Sequence, residues 1–307
     1  LVPCYNEETA IPKVIADFRQ ALPNATIYVY DNNSKDRTVE VAKAAGAVVR
    51  REPLQGKGNV VRRMFADIEA DIYVLVDGDA TYDAASAPKM IQALLDGPLD
   101  MVNGSRVTDI EKAYRPGHRF GNWMLTTMVA QIFGNRITDM LSGYRVMSRR
   151  YVKSFPALSV GFETETELTV HALELRMPIA EIATPYKDRP PGSVSKLSTF
   201  RDGFRILWTI IVLVKEERPI QFFSLFALLV AVIASFLIAP IILEFLRTGL
   251  VPRLPTAVLS MGLMILAFLS LTCGLVLDTV TRGRREMKRM RYLNIPAPGN
   301  RSGEPAQ

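Results

Sequence analysis

Three aspartates crowd one short stretch of this 307-residue chain. The apolar run from Ile72 to Val76 ends in "DGDATYD", with Asp77 and Asp79 one glycine apart and Asp83 a little further on. Two readings fit. Asp and Gly are ordinary turn residues at the end of a strand. Two carboxylates leaving a strand also offer hard oxygens to Mg²⁺ or Mn²⁺, and Gly78 would let the backbone bend between them. No His or Cys lies nearby, so the set does not suit zinc. Asp83 reads as a helix-opening residue. Basic groups accompany the acids. In "QGKGN" (55–59), Lys57 stands between two glycines ahead of a helix. Such a loop can cradle phosphate or can simply hold a solvated lysine, and its spacing is not that of a P-loop. "NGSR" ends in Arg106, with Arg115 and Arg119 beyond it; arginine suits two-pronged phosphate contacts.

Alternating elements must position these groups. "LVP" reads as the end of a strand, 8–21 as a helix with apolar Ile11, Val14, Ile15 and Phe18, and "TIYVYD" as a strand. "SKDRTVEVAKAAG" (34–46) reads as a helix with a Ser cap and a closing Gly. After the short strand "AVVR" come a helix over about 58–69, the strand "DIYVLVD", a helix over about 86–96 and the strand "DMVNGS". This alternation predicts an α/β fold, a mostly parallel sheet with helices on both faces. Ligands bind at the carboxyl ends of such strands. Asn6, Glu7, Asp31, Asp77, Asp79, Ser105 and Arg106 fall there.

The rest of the chain is greasier. Mean hydropathy is +0.13, and residues 219–243 and 254–277 carry no charge. Each run exceeds the roughly 20 residues a bilayer core requires, which predicts a two-helix transmembrane hairpin rather than two buried helices of a soluble core. Net charge is +6, and "RGRREMKRMR" (282–291) holds six Arg or Lys and one Glu. The positive-inside rule then places the C-terminus, and with two crossings the N-terminal part too, in the cytoplasm. Beside a span, such a tail suits anionic lipid better than nucleic acid. Segments 118–134 and 198–215 suit helices lying in the membrane interface or ordinary core packing. The expected domains are 1–197 (catalytic), 198–216 (interfacial helix), 217–281 (hairpin) and 282–307 (basic tail). The two cysteines, Cys4 and Cys273, form no framework or metal spacing, which agrees with a reducing compartment. No signal peptide is visible. The chain starts without Met, so a short piece of the first strand is expected to precede it.

In order, "VPCYNEE", "DNNSKDRT", "QGKGN", "VDGDATYD", "NGSR" and "TDMLSGYRVMSR" resemble the motifs of family 2 glycosyltransferases with the GT-A (Rossmann-like) fold. The closer likeness is to polyprenyl-phosphate glycosyltransferases, over roughly residues 1–200, and the hairpin resembles that of bacterial and archaeal members. The resemblance implies a nucleotide-sugar donor, a polyprenyl (undecaprenyl or dolichyl) phosphate acceptor in a plasma or inner membrane, Mg²⁺ or Mn²⁺, and a homo-oligomer, a tetramer in some relatives. Pro3, Tyr5, Asn6 and Glu7 would line the nucleotide pocket. Asp31 would read the base, Lys57 would approach the donor, and Asp77, Gly78 and Asp79 would hold donor and metal. Arg106 and Arg119 would grip the lipid phosphate, Asp139 would act near the acceptor, and Arg189 and Lys196 would close a basic loop over the diphosphate. Relatives often carry Gln two residues after the second Asp; here Thr81 stands there, which leaves a third metal ligand to water. Ser142, Gly143, Tyr144 and Arg145 belong to the same motif and equally fit a structural turn.

"GFETETEL" offers Glu163, Glu165 and Glu167, either a solvated helix face or, for Glu163 or Glu165, a part of the site. His118 and His171 have no partner at catalytic spacing. The function expected is inverting sugar transfer to a polyprenyl phosphate, with UDP-sugars favoured over GDP-mannose. A glycolipid synthase acting on a hydroxyl, with Asp139 as base, is the alternative. A processive polysaccharide synthase fits less well, since its Q-x-x-R-W motif and extra spans are missing.

Overall fold

The computed structural model describes residues 1–107, 137–161, 163–187, 208, 211–212 and 214–298. Arg115, His118, Arg119, Arg189, Lys196 and the segments 118–134 and 198–207 lie outside the described residues. The chain divides into two units, Leu1–Leu207 with Lys288–Gln307, and Trp208–Met287.

In the first unit, β1 (Val2–Cys4), β2 (Tyr28–Asp31) and β3 (Val48–Arg51) pair in parallel in the order β1-β2-β3. A second group has the order β4-β6-β5-β7, from β4 (Ile72–Leu75), β5 (Met101–Val107), β6 (Arg145–Ser148) and β7 (Ile179–Pro185). Leu1 joins the two. Its nitrogen donates to Val74 O at 2.6 Å and its carbonyl accepts from Val76 N at 3.1 Å, the bond pattern of parallel strands. The seven strands therefore read β3-β2-β1-β4-β6-β5-β7. β6 runs antiparallel to both neighbours, while β5 and β7 are parallel. The strand order reverses between β1 and β4, and crevices form at such a switch point.

Helices cover both faces. α1 (Ile11–Ala21), α2 (Thr38–Ala44) and α4 (Ala87–Asp96) bury Ile11, Val14, Ile15, Phe18, Ala42, Met90 and Leu94 against Val29 and Val146. Strand alternation sends the next residues the other way. There Tyr30 OH donates to Asp67 of α3 (Lys57–Asp67), and Tyr73 and Phe155 meet Phe65. α5 (Arg149–Ser154) and α6 (Thr164–Glu174) follow β6. The helix expected over 34–46 opens only at Thr38, since Ser34 Oγ accepts from Asn6 N instead of capping it, and Asp36 Oδ1 receives Thr38 N at 3.0 Å. Gly46, at φ +84°, closes it.

The second unit holds α7 (Pro219–Thr248) and most of α8 (Leu254–Leu293), both long and apolar enough to cross a membrane. Their seam is built from small side chains. Ala227, Val230, Ala234 and Ile241 are buried on α7, and Ser260, Ala267, Ser270, Gly274 and Thr281 on α8. Ser270 Oγ donates to Phe223 O at 3.2 Å. Small residues at a seam allow the close backbone approach common between membrane helices.

Candidate active site

The loops after β1 and β2 lace together. Asn6, held at φ +53°, accepts Lys35 N at 2.7 Å, and Glu7 N donates to Thr38 Oγ1 at 2.8 Å. Asp31 is buried and accepts Ser34 N at 3.1 Å, while Pro3 pairs with Tyr30 across the ladder. Tyr5 follows on the same loop. Asn32 was not singled out from sequence, yet it ties this corner together. Its side-chain amide donates to Glu52 O and Leu54 O, and its oxygen receives Gly56 N at 2.7 Å. Its place directly after Asp31 in "DNNS" is the only sequence signal.

That network alters the expected phosphate cradle. Gly58 N donates to Val160 O at 2.9 Å, and a Cβ on Gly58 would lie 2.1 Å from Ser159 O. The glycines admit the 159–160 backbone, and the N–H groups of Gly56 and Gly58 are already used inside the protein. Lys57 turns inward, where its ammonium pairs with Asp77 and Glu165. Burial works against that charge, but the two carboxylates overcome it and raise the lysine pKa. Burial raises Glu165, with Lys57 opposing. The three acids of "GFETETEL" are therefore not a solvated face. Glu165 meets the site, Glu167 accepts Leu158 N and Ser159 N at 2.8 Å each, and Glu163 accepts Gly161 N at 3.0 Å.

Around the aspartates the turn differs from expectation. Gly78 does not take the left-handed conformation; Ala80 does, at φ +59°. Gly78 is needed for space, since a Cβ there would lie 2.6 Å from Cys4 Sγ. Thr81 is buried and its hydroxyl donates to Asp79 Oδ1 at 2.6 Å. Thr81 thus orients Asp79. Asp83 stands at the opening of the Ala84–Ser86 turn, accepting Ser86 Oγ at 2.9 Å. Among the described residues no group of three or more His, Cys, Asp or Glu could hold a metal. Two carboxylates still fit Mg²⁺ or Mn²⁺, which complete their shells with substrate phosphates and water instead of an all-protein cage.

Across the crevice stands a second cluster. Arg106 on β5 makes a two-pronged pair with Asp139, Nε to Oδ2 and Nη2 to Oδ1 at 2.7 Å each, and lies over the Tyr186 ring at 5.6 Å. Burial alone would raise the Asp139 pKa; the hydrogen bonds and charge of Arg106 outweigh it and hold the carboxyl below its ordinary value. Ser142–Arg145 takes the structural role the sequence left open. Ser142 Oγ donates to Gly104 O at 2.5 Å, and Gly143 N to Tyr82 OH at 2.8 Å. Arg145 is fully buried and donates to Met140 O, Ser142 O, Glu165 O and Thr169 Oγ1. Gly143 does more. A Cβ there would lie 2.4 Å from Asp77 Oδ2, so this turn forms the wall against which the first aspartate packs. His171 is a framework residue, with Nε2 3.1 Å from Ser154 Oγ.

Comparisons with known proteins bear on the family and the fold. Residues 1–155 match the family model described as glycosyl transferase family 2. Glycosyltransferase AglJ of Haloferax volcanii is 36% identical over 230 residues, 73% of this chain and 74% of that protein. The dolichyl-phosphate hexose transferase of the same organism is 30% identical over 215 residues, 70% of this chain and 92% of that protein. Among solved structures, glucosyl-3-phosphoglycerate synthase from Mycobacterium tuberculosis, crystallised with Mn²⁺, UDP and glucosyl-3-phosphoglycerate, superposes with TM-score 0.58 at 22% identity, covering 70% of this chain and 77% of that one. That likeness speaks to the fold. Over residues 1–155 and through these relatives, the chain belongs to glycosyltransferase family 2, with the GT-A fold.

Proposed function

We propose that this glycosyltransferase moves a hexose, with inversion, from a nucleoside-diphosphate sugar to a polyprenyl phosphate in the membrane, and that UDP-sugars are its donors. The Arg106–Asp139 pair carries the reading. A hydroxyl acceptor would need a base. Asp139 is a poor one, because both its oxygens accept from Arg106 and its pKa is depressed. A phosphate acceptor is already anionic near neutral pH and needs a cation to aim it. Arg106 supplies that cation from a rigid strand, and Arg119 is assigned the same task. The similarity to a dolichyl-phosphate hexose transferase and the two membrane-length helices support the same choice of acceptor.

On the donor side Asp31 and the Pro3–Glu7 loop hold the nucleoside, and Asp77 and Asp79 are the residues that would hold a Mg²⁺ or Mn²⁺ ion. Such an ion, when bound, would supply Lewis-acid neutralisation of the leaving diphosphate. Lys57 keeps the Asp77 and Glu165 charges compatible in one buried space. Thr81 fixes the Asp79 rotamer, so the carboxylate is in place before the donor arrives. Arg189 and Lys196 add positive charge over the leaving group. The catalytic unit and both termini lie on the cytoplasmic side, with the basic end of α8 against anionic lipid.

The test is product chemistry. Full-length enzyme in lipid nanodiscs is given labelled UDP- and GDP-sugars with polyprenyl phosphate, or with ceramide or diacylglycerol. An acid-labile, phosphodiester-linked sugar lipid formed only with the phosphate acceptor is expected. An acid-stable glycolipid made from the hydroxyl acceptors overturns the reading.

A further inference from the structure

One carboxylate beside the acceptor cluster has no part in the chemistry above. Glu181 sits within β7, directly across the parallel ladder from Asn103 of β5. Its two oxygens receive four donors. Oε1 takes Asn103 Nδ2 at 2.8 Å and Asp139 N at 3.1 Å; Oε2 takes Thr138 N at 2.8 Å and Thr138 Oγ1 at 2.6 Å. Asn103 Nδ2 also donates to Asp139 O at 2.8 Å. The backbone at 138–139 is thus gripped at two N–H groups and one carbonyl. Immediately beyond this grip the Asp139 side chain holds Arg106 in its two-pronged pair, and Arg106 N also donates to Asp139 Oδ2 at 3.2 Å.

We propose that Glu181 is a positioning residue for the acceptor side: as a carboxylate on a rigid strand it fixes the Thr138–Asp139 backbone, and through Asp139 it sets the aim of Arg106. The proposal rests on reading Arg106 as an acceptor-phosphate contact. The chemistry calls for a carboxylate here. All four donors are neutral N–H or O–H groups, and they converge on two oxygens. An amide offers one acceptor oxygen and one NH₂. A glutamine with its NH₂ at the Oε1 position would face two donors, and with its NH₂ at the Oε2 position would face Thr138 N while the Thr138 hydroxyl turned to accept; either way a backbone N–H of 138–139 loses its acceptor. The ladder itself does not depend on this side chain. β5 and β7 pair backbone to backbone over seven positions, Met101↔Ile179 to Val107↔Pro185. The isosteric substitution therefore loosens one loop and leaves the sheet intact. A misplacement of about 1 Å at a reacting centre costs on the order of 100-fold in rate, so even a small drift of Arg106 is readable.

The experiment compares full-length wild type, Glu181→Gln, Asp139→Asn and the double variant in nanodiscs. Glu181→Gln should raise the KM for polyprenyl phosphate and lower kcat/KM for it by about 10- to 100-fold. The donor KM should stay within about twofold, a split that general destabilisation would not produce. Adding Glu181→Gln to Asp139→Asn should cost less than about twofold more, because residues acting through one group are not additive. Donor and acceptor KM rising together, full additivity in the double variant, or wild-type kinetics in Glu181→Gln would each overturn the proposal. Amide hydrogen exchange without substrates gives a second readout. Protection at 138–142 should fall at least about tenfold in Glu181→Gln while α1 keeps its own, and unchanged protection overturns the proposal too. This measurement does not depend on turnover. If wild-type enzyme ignores polyprenyl phosphate, the functional reading falls and Glu181 is still judged.

Discussion

The two sides of the crevice are built differently. On the proposed donor side most side chains grip their own turns or the loop on the neighbouring parallel strand, the pair of Lys57 with Glu165 across 108 residues being the exception. Asp31 accepts an N–H three residues on, and Asp79 a hydroxyl two residues on. On the acceptor side the contacts are remote. Arg106 reaches Asp139 across 33 residues, and Asn103 reaches Glu181 across 78. Apart from Lys57, Glu165 and the Gly143 wall, the proposed donor side is a set of turns of the kind a switch-point sheet presents. The acceptor side exists only once β6 has been inserted, antiparallel, between β4 and β5. On the proposed assignment, nucleotide recognition is encoded mostly in short motifs, whereas the acceptor site depends on the completed sheet.

Three measurements would break or sharpen this division. The largest effect is expected from Asp79→Asn against Asp139→Asn. Asp79→Asn should cut transfer about a thousandfold and abolish Mn²⁺-dependent donor binding by calorimetry. Asp139→Asn should cut transfer about 100-fold with donor affinity unchanged within about twofold. Equal loss of donor binding in both would show that the sides are not separable. Gly143→Ala strikes the shared wall, where its methyl overlaps the Asp77 carboxylate. Overpacking of this kind costs about 1–3 kcal/mol; donor affinity and acceptor turnover should both fall, by about tenfold. A variant losing only one of them would place the wall on that side.

The smallest effect is a pH slope belonging to neither side. Burial lowers the His171 pKa to about 3, against about 6.5 in an unfolded chain. The folded protein thus refuses a proton that the unfolded chain takes. Stability is complete above pH 6.5 and is lost as pH falls toward 3, by about 1.4 kcal/mol per unit. The depressed Asp139 pKa acts in the same direction but only below the ordinary carboxylate range near 3.9. Denaturant unfolding between pH 7 and 4.5 should show the slope. His171→Gln should flatten it, and Asp139→Asn should leave it in place.

The same division explains what the sequence made legible. β1 to β5 and their helices were readable because each apolar run is short and followed by a helical period. The loop acids stood out because turns concentrate Asp, Asn and Gly. β6 was hidden inside "SGYRVMSR", since a strand buried on both faces shows no alternation and this one opens with an arginine. That Arg145 is fully buried follows from two carbonyls of its own turn, Met140 O and Ser142 O, together with Glu165 O and Thr169 Oγ1 of α6, and the α6 half is not visible locally. Glu181 was invisible for the same reason. "IAEIATP" reads as a strand edge with one charge until Thr138 and Asp139 arrive beside it. Gly78 was recognised as necessary for the wrong cause, because a steric neighbour on a different strand, Cys4 at the end of β1, cannot be seen from a turn.

The membrane-length helices carry a message in their smallest residues. On α8 the buried Ser260, Ala267, Gly274 and Thr281 recur at sevens, and on α7 Ala227, Ala234 and Ile241 do the same. A straight helix of 3.6 residues per turn drifts about 20° for every seven. A seam kept at sevens along both helices stays closed longest if the pair winds left-handed, so the spacing of these side chains favours one hand for the hairpin.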